Sequence, residues 1–223
     1  MGLLGFARRT PCAVLLAAQL LGVLLYPFLE DSFEGRQLFS LFGLLVLALA
    51  VLAIRVTPLL NWIAWLIALP AVVLLVIQVA GGNEDLAPWA SGFEAVLYLY
   101  AGVALLFYML ADDRVTTDEL FAIGAVFTLF AWAFAHIYVA LQAVDPGAFT
   151  AAVHPAADRT WTELLFLSVT TLSSTGLSDV VPITGHARSV VMLEQLAGVL
   201  YIAMVVTRLV GLNAARTRRD KGA

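Results

Sequence analysis

The feature that most constrains this chain is residues 160–212, where a short apolar helix, a short polar segment and a long apolar helix follow one another. The polar segment, residues 173–179 with the sequence SSTGLSD, is rich in hydroxyl groups and too short to cross a bilayer. Irregular polar backbone at membrane depth is tolerated only where protein buries it or where it lines a watery cavity. We therefore predict that the functional site lies in this segment.

The short helix before the polar segment cannot span a membrane. Thr160 and Glu163 have the Thr-x-x-Glu spacing that predicts a capping box at a helix start. From there to Leu172 the helix has about 12 residues and a length of about 18 Å, against a hydrocarbon core of about 30 Å. The chain must therefore return as an extended segment, and Gly176 lies within it, where a left-handed backbone costs little. The next helix is predicted to begin near Ser189.

Composition places the whole chain in a membrane. It is 62% hydrophobic and only 13% charged, whereas soluble domains are about 25% charged. Long apolar runs predict six transmembrane helices, at about residues 11–29, 38–54, 59–80, 90–111, 120–144 and 189–212. The predicted fold class is all-α integral membrane, with six transmembrane helices and one re-entrant helix per subunit.

Charge excludes two function classes and orients the chain. A net charge of −4 argues against nucleic-acid binding, and the fourth apolar run has no Arg or Lys with which to sense voltage. Most of the basic residues fall on the side of both termini, which predicts cytoplasmic termini in a plasma or inner membrane. These residues are Arg8, Arg9, Arg55, Arg114, Arg208, Arg216, Arg218, Arg219 and Lys221. The basic tail is also a candidate contact for anionic lipid.

The pattern of residues 120–212 resembles a known family. The order is a span, a loop, a half-helix, LSSTGLSD, and then VVPITGHARSVVMLEQLAGVLYIAMVVTRLVGL. This order and these motifs resemble the pore module of the tetrameric potassium channel superfamily, of the six-span type without a voltage sensor. The resemblance implies a homotetrameric pore and no cofactor or bound metal beyond a permeant K⁺ or Na⁺. It divides the chain into four peripheral helices (1–112), a linker (113–119), the pore module (120–212) and a basic cytoplasmic tail (213–223).

The same resemblance implies particular site residues. Gly198 takes the place of an inner-helix glycine that acts as a gating hinge. The polar segment takes the place of the selectivity filter, whose residues are Ser173, Ser174, Thr175, Gly176, Leu177, Ser178 and Asp179.

The polar segment departs from the family pattern in ways that predict a softer filter. Leu177 stands where tyrosine is usual, and Ser178 stands where a second glycine is usual. A filter whose backbone carbonyls all point into the pore requires alternating backbone handedness, and the left-handed conformation is costly at Ser178 because serine has a Cβ. Phe166 and Leu167, on the half-helix, replace aromatic partners that donate hydrogen bonds. We expect a wider pore with weak selectivity among monovalent cations, and calcium permeation is a further expectation because of an Asp179 ring.

Several other residues carry two interpretations each. Asp179 either lines the ion path or caps the following turn. Glu194 is an acidic residue inside a span, which marks a functional candidate, and the favoured interpretation is structural pairing with Arg188 or the back of the filter. His136 either senses pH or, as favoured, bonds a neighbouring helix. A larger set of aromatic residues at span ends is interpreted as interface anchors, namely Trp62, Trp65, Trp89 and Trp161.

The sequence therefore predicts a tetrameric cation channel and not an enzyme. The alternatives are a non-conducting channel-like protein and a secondary transporter, although no internal repeat supports a transporter. An intramembrane enzyme is disfavoured because no His/Asp/Glu cluster, Ser/Lys pair or metal-ligand spacing falls within the spans.

Overall fold

The computed structural model describes residues 10–30, 32–54, 61–81, 87–110 and 116–221. Within these residues the elements are helices α1 (Pro11–Leu25, followed by the 3₁₀ turn Tyr26–Phe28), α2 (Phe33–Ile54), α3 (Asn61–Gly81), α4 (Ala87–Leu110) and α5 (Thr117–Val144), strand β1 (Phe149–Ala151), helix α6 (Trp161–Leu172), strand β2 (Val180–Pro182) and helix α7 (Gly185–Lys221).

Within the described residues, four helical stretches are long and apolar enough to cross a membrane. They are Pro11–Phe28, Pro88–Leu110, Thr117–Val144 and Gly185–Gly211. The chain is therefore a multi-pass membrane protein with an all-α membrane core. Helices α2 and α3 coincide with the second and third predicted spans, and their crossing of the membrane stays a prediction.

Helix α5 is the centre of the fold and packs against α1, α4 and α6. Small side chains on α5 let these helices approach closely, as is typical of helix packing in membranes. The buried small residues of α5 are Ala122, Ala125, Ala131, Ala133 and Ala135. Helices α2 and α3 lie further out, where α2 contacts α1 and α4, and α3 contacts mainly α4.

A two-stranded sheet joins the loops on either side of α6. Strand β1 pairs antiparallel with β2, with Phe149 opposite Pro182 and Ala151 opposite Val180. Buried side chains of Phe149 and Val180 pack with Tyr138 of α5 in one apolar cluster. The loop before α6 is thus fastened to the loop after the polar segment, a pairing that the sequence analysis did not predict.

The ends of α7 differ from the prediction. The helix begins at Gly185, not near Ser189, because Thr184 caps it: the Ala187 amide donates to Thr184 Oγ1 at 3.3 Å. The helix also continues past the predicted end at Leu212 to Lys221. The predicted turn at residues 55–58, the middle of the loop at 82–86 and residues 113–115 of the predicted linker lie outside the described residues. The last three residues of that linker, 117–119, belong to helix α5.

Polar contacts join helix α5 to two of its neighbours, α4 and α7. His136 Nδ1 of α5 lies 3.1 Å from Glu94 Oε2 of α4. This places His136 beside a neighbouring helix, as predicted, but the contact lacks hydrogen-bond geometry. At the opposite end of α5, Arg208 Nη2 of α7 lies 3.3 Å from Glu119 Oε2. The two contacts therefore link α5 to α4 and to α7 at different positions along its length.

Candidate functional site

The start of helix α6 is fixed by the capping box that the sequence predicts. The Glu163 amide donates to Thr160 Oγ1 at 3.3 Å, and the Thr160 amide donates to Glu163 Oε2 at 2.7 Å. Just before it, the buried Arg159 guanidinium donates to the carbonyls of the preceding loop. Thr162 Oγ1 adds a bond of 2.8 Å to Glu30 Oε2, after α1. These contacts settle where the half-helix begins.

Trp161, the first residue of α6, lies in an aromatic cluster. Its ring centroid is 4.7 Å from that of Tyr26, 5.0 Å from Phe39 and 5.3 Å from Trp132. The sequence analysis interpreted Trp161 as an interface anchor, whereas the structure packs it among α1, α2 and α5. Because aromatic pairs at these distances add packing energy beyond burial, the cluster holds the outer helices against the start of α6. Trp89, by contrast, is 69% exposed, as an anchor would be.

Helix α6 ends in a Schellman motif. The Ser174 amide donates to the Thr171 carbonyl at 2.9 Å, and the Thr175 amide donates to the Thr170 carbonyl at 2.9 Å, which is the paired pattern of that motif. The motif needs a left-handed residue after the cap, and Ser174 fills that position with φ of 59°. Glycine is usual there because a Cβ costs about 1–2 kcal/mol in this conformation.

The backbone handedness of the polar segment therefore differs from the prediction. Gly176 has φ of 65°, as predicted, but the second left-handed residue is Ser174 and not Ser178. The reason is local: Ser178 Oγ accepts the Val180 amide at 3.1 Å, a turn that leaves Ser178 in an ordinary conformation. Ser178 does not adopt the left-handed conformation that was expected to be costly there. The residue that bears this conformational cost is Ser174, four residues earlier.

The side chains of the polar segment are largely exposed in the single chain. Ser174, Thr175, Gly176, Leu177 and Asp179 are exposed. Their internal contacts are short-range: Thr175 Oγ1 donates to the Thr170 carbonyl at 3.2 Å and lies 3.0 Å from Ser173 Oγ. The Asp179 carboxylate makes no hydrogen bond to the described part of the chain, so it does not cap the following turn. The segment leaves its oxygen atoms available to a ligand or a further subunit.

Gly198 of α7 lies directly behind the end of α6. A Cβ built on Gly198 would come within 2.0 Å of the Leu172 carbonyl oxygen. Real side chains do not make contacts this short, so this crossing of α6 and α7 requires glycine. The structure thus brings Gly198 against the last residue before the polar segment. Its predicted role as a hinge stays a prediction.

Behind α6, a buried polar network joins three helices. Glu194 of α7 is fully buried, and its carboxyl group contacts Tyr138 Oη of α5 and Ser168 Oγ of α6. The favoured interpretation of Glu194 as a structural partner at the back of the filter segment agrees with this. Arg188 is not its partner, since Arg188 Nε donates to the Pro182 carbonyl at 3.3 Å. The sequence analysis missed Ser168 and Tyr138, whose only signal was polarity within apolar helices.

The fold and this site define a multi-pass membrane protein in which a short apolar helix, α6, precedes an exposed polar segment and packs against the long apolar helix α7. Residues 121–214 match the model of a family described as an ion channel. That match spans most of α5, α6, the polar segment and most of α7, and it supports an ion-channel family. No curated protein and no solved structure matches the chain.

Proposed function

We propose that the protein is a homotetrameric cation channel that conducts potassium or, with weak selectivity, other monovalent cations. The observation that carries the proposal is the half-crossing helix α6, which ends at an exposed polar segment inside the part of the chain that matches the ion-channel family. The proposal places the protein in the plasma or inner membrane with both termini cytoplasmic. The basic end of α7 would then lie near anionic lipid headgroups.

The surface of α7 favours several copies around one axis. This helix contacts α6 and, to a lesser extent, α5 and β2, and much of its apolar surface is uncovered. Its large exposed side chains include Met192, Leu193, Leu196, Val199, Leu200, Val206 and Val210. A single polar segment cannot enclose an ion path, and four copies supply both a closed ring and partners for this face. Lipid would cover whatever remains exposed.

The chemistry of the polar segment favours cations over anions. Hydroxyl groups, backbone carbonyls and the free carboxylate of Asp179 are oxygen ligands of the kind that hard cations prefer. The negative end of the α6 dipole is its carboxyl end, which lies at the start of the polar segment and therefore also favours cations. Leu177 is 75% exposed and has no hydrogen-bonding atom with which to fasten the segment to its support. We therefore infer a wide filter that passes partly hydrated ions.

The first experiment is cation flux into liposomes that carry the purified protein, with separate potassium, sodium and calcium gradients. We expect comparable potassium and sodium flux that does not saturate as coupled transport would. Flux of potassium far above sodium would overturn the weak selectivity and retain the channel. Saturable flux coupled to a second ion would favour a transporter, and tetramers without flux would favour a non-conducting relative.

The double change Leu177→Tyr, Ser178→Gly tests the account of the filter. It restores the residue types of the family pattern, and we expect the potassium-to-sodium flux ratio to rise. Val153→Tyr is a matched control, because Val153 is an exposed residue in the loop before α6 and also gains a tyrosine. An unchanged ratio in the double variant, with flux preserved, would show that these two residues do not set selectivity.

A further inference from the structure

If Glu194 were ionised, the buried network around it would have three oxygen–oxygen contacts but only two hydroxyl protons, those of Ser168 and Tyr138. Ser168 Oγ lies 2.9 Å from the Ala131 carbonyl oxygen and also contacts Glu194 Oε1. The second carboxyl oxygen, Oε2, contacts Tyr138 Oη. A serine hydroxyl has one proton, so Ser168 donates to one of its two neighbours and not to both.

Counting protons decides the state of the acid. If Glu194 were ionised, Ser168 would donate to the carboxylate, and its lone pairs would face the Ala131 carbonyl oxygen at 2.9 Å. That contact is repulsive between two acceptors. If Glu194 is protonated, every atom has a complementary partner: Tyr138 donates to Oε2, the acid O–H donates to Ser168 Oγ, and Ser168 donates to Ala131.

The surroundings agree with a neutral acid. Glu194 is 0% exposed, and within the described part of the chain no basic side chain lies within ion-pair distance of it. An unpaired buried charge costs far more than a neutral hydrogen-bonded group. Arg188, two turns earlier on α7, is directed at the Pro182 carbonyl instead.

The network lies close to the end of helix α6, where the polar segment begins. Ser168 and Glu194 meet one helical turn before Leu172 and Gly198 meet, so α6 and α7 touch at two successive turns with the same spacing. The second contact lies at the last residue before the polar segment. The first contact therefore lies one helical turn from the point where the polar segment begins.

We propose that Glu194 is a neutral carboxylic acid that donates to Ser168, and that this chain of hydrogen bonds is the positioning element that fixes the height of the polar segment against the inner helix. The protonation state stands independently of the channel activity. The effect on selectivity rests on the proposed function.

The protonation state is tested by infrared spectroscopy of the full-length protein in lipid at neutral pH, comparing wild type with Glu194→Gln. We expect a protonated carboxylic acid band in wild type that is absent from the variant. The difference isolates Glu194 from other acids. No difference in that spectral region would show an ionised Glu194 and overturn the proposal, whether or not the protein conducts.

The positioning role is tested by comparing Glu194→Gln with Glu194→Leu. Glutamine keeps an acceptor for Tyr138 and supplies an N–H donor for Ser168, so it mimics the neutral acid, and we expect the tetramer and the potassium-to-sodium flux ratio to stay as in wild type. Leucine removes both contacts, and we expect a shift in that ratio of up to about tenfold, the size of one lost buried hydrogen bond. A glutamine variant that loses selectivity as leucine does would overturn the role.

Tyr138→Phe and Ser168→Ala provide a second test of the positioning role in case the Glu194→Leu variant does not fold. Each removes one contact of Glu194 and leaves its carboxyl group in place. We expect both to shift the flux ratio in the same direction as each other. Wild-type ratios in both, with folded tetramers, would likewise overturn the positioning role. If wild type itself conducts nothing, the proposed function fails, while the infrared result still decides the state of Glu194.

Discussion

The back of helix α6 and the polar segment that follows it are held in opposite ways. The back is enclosed by the same chain: an aromatic cluster at Trp161, the buried carboxyl group of Glu194 and the close contact at Gly198. The polar segment is exposed, and its described side-chain contacts reach no further than the last turn of α6 and the start of β2.

This comparison shows which contacts stabilise the back of α6 and which are left to stabilise the polar segment. Buried groups on the back of α6 have partners from α1, α2, α5 and α7, so a single chain is sufficient to support this helix. The hydroxyl groups of the polar segment have only short-range partners in the described part of the chain, so any further partner would come from a larger assembly or an ion. Substitutions on the back should therefore change stability most, and substitutions in the polar segment should change it least.

Trp161→Ala is expected to have the largest effect. It empties the centre of the aromatic cluster and should lower the free energy of unfolding by about 3 kcal/mol, measured by thermal unfolding of the purified protein in mild detergent. Trp89→Ala is the control, because Trp89 is 69% exposed. Equal losses in both variants would contradict the idea that the cluster supports α6.

Gly198→Ala is expected to rank second. The added Cβ would approach the Leu172 carbonyl oxygen to 2.0 Å, so the two helices must separate at a cost of about 1–3 kcal/mol. Gly211→Ala on the same helix is the matched control, since a Cβ there meets nothing within 4 Å, and we expect it to be neutral or stabilising. The comparison is made by the unfolding temperature and the yield of intact oligomer, and a tolerated Gly198→Ala would mean that the helices cross more loosely than described.

Ser174→Gly is expected to have the smallest effect, and of opposite sign. Glycine removes the Cβ from a left-handed position and should stabilise the end of α6 by about 1 kcal/mol. The neighbouring change Ser173→Gly should instead destabilise slightly, because Ser173 has an ordinary φ of −79° and gains only flexibility. Unfolding temperatures that move together in the two variants would contradict the Schellman geometry.

Local sequence patterns predicted the elements of the site well. The capping box at Thr160 and Glu163, the end of α6 at Leu172 and the left-handed Gly176 are all present in the structure. Each depends on residues within about one turn of one another, so the chain carries the information without knowledge of its partners. The start of α7 was misplaced because Thr184 was not recognised as a cap.

The sequence by itself determined that the chain is a multi-pass helical membrane protein with a short apolar helix followed by a polar segment, since hydropathy and helix length are local quantities. Only the tertiary structure decided what lies behind that helix. Ser168, Tyr138 and Glu194 are far apart in the chain and meet only after three helices pack.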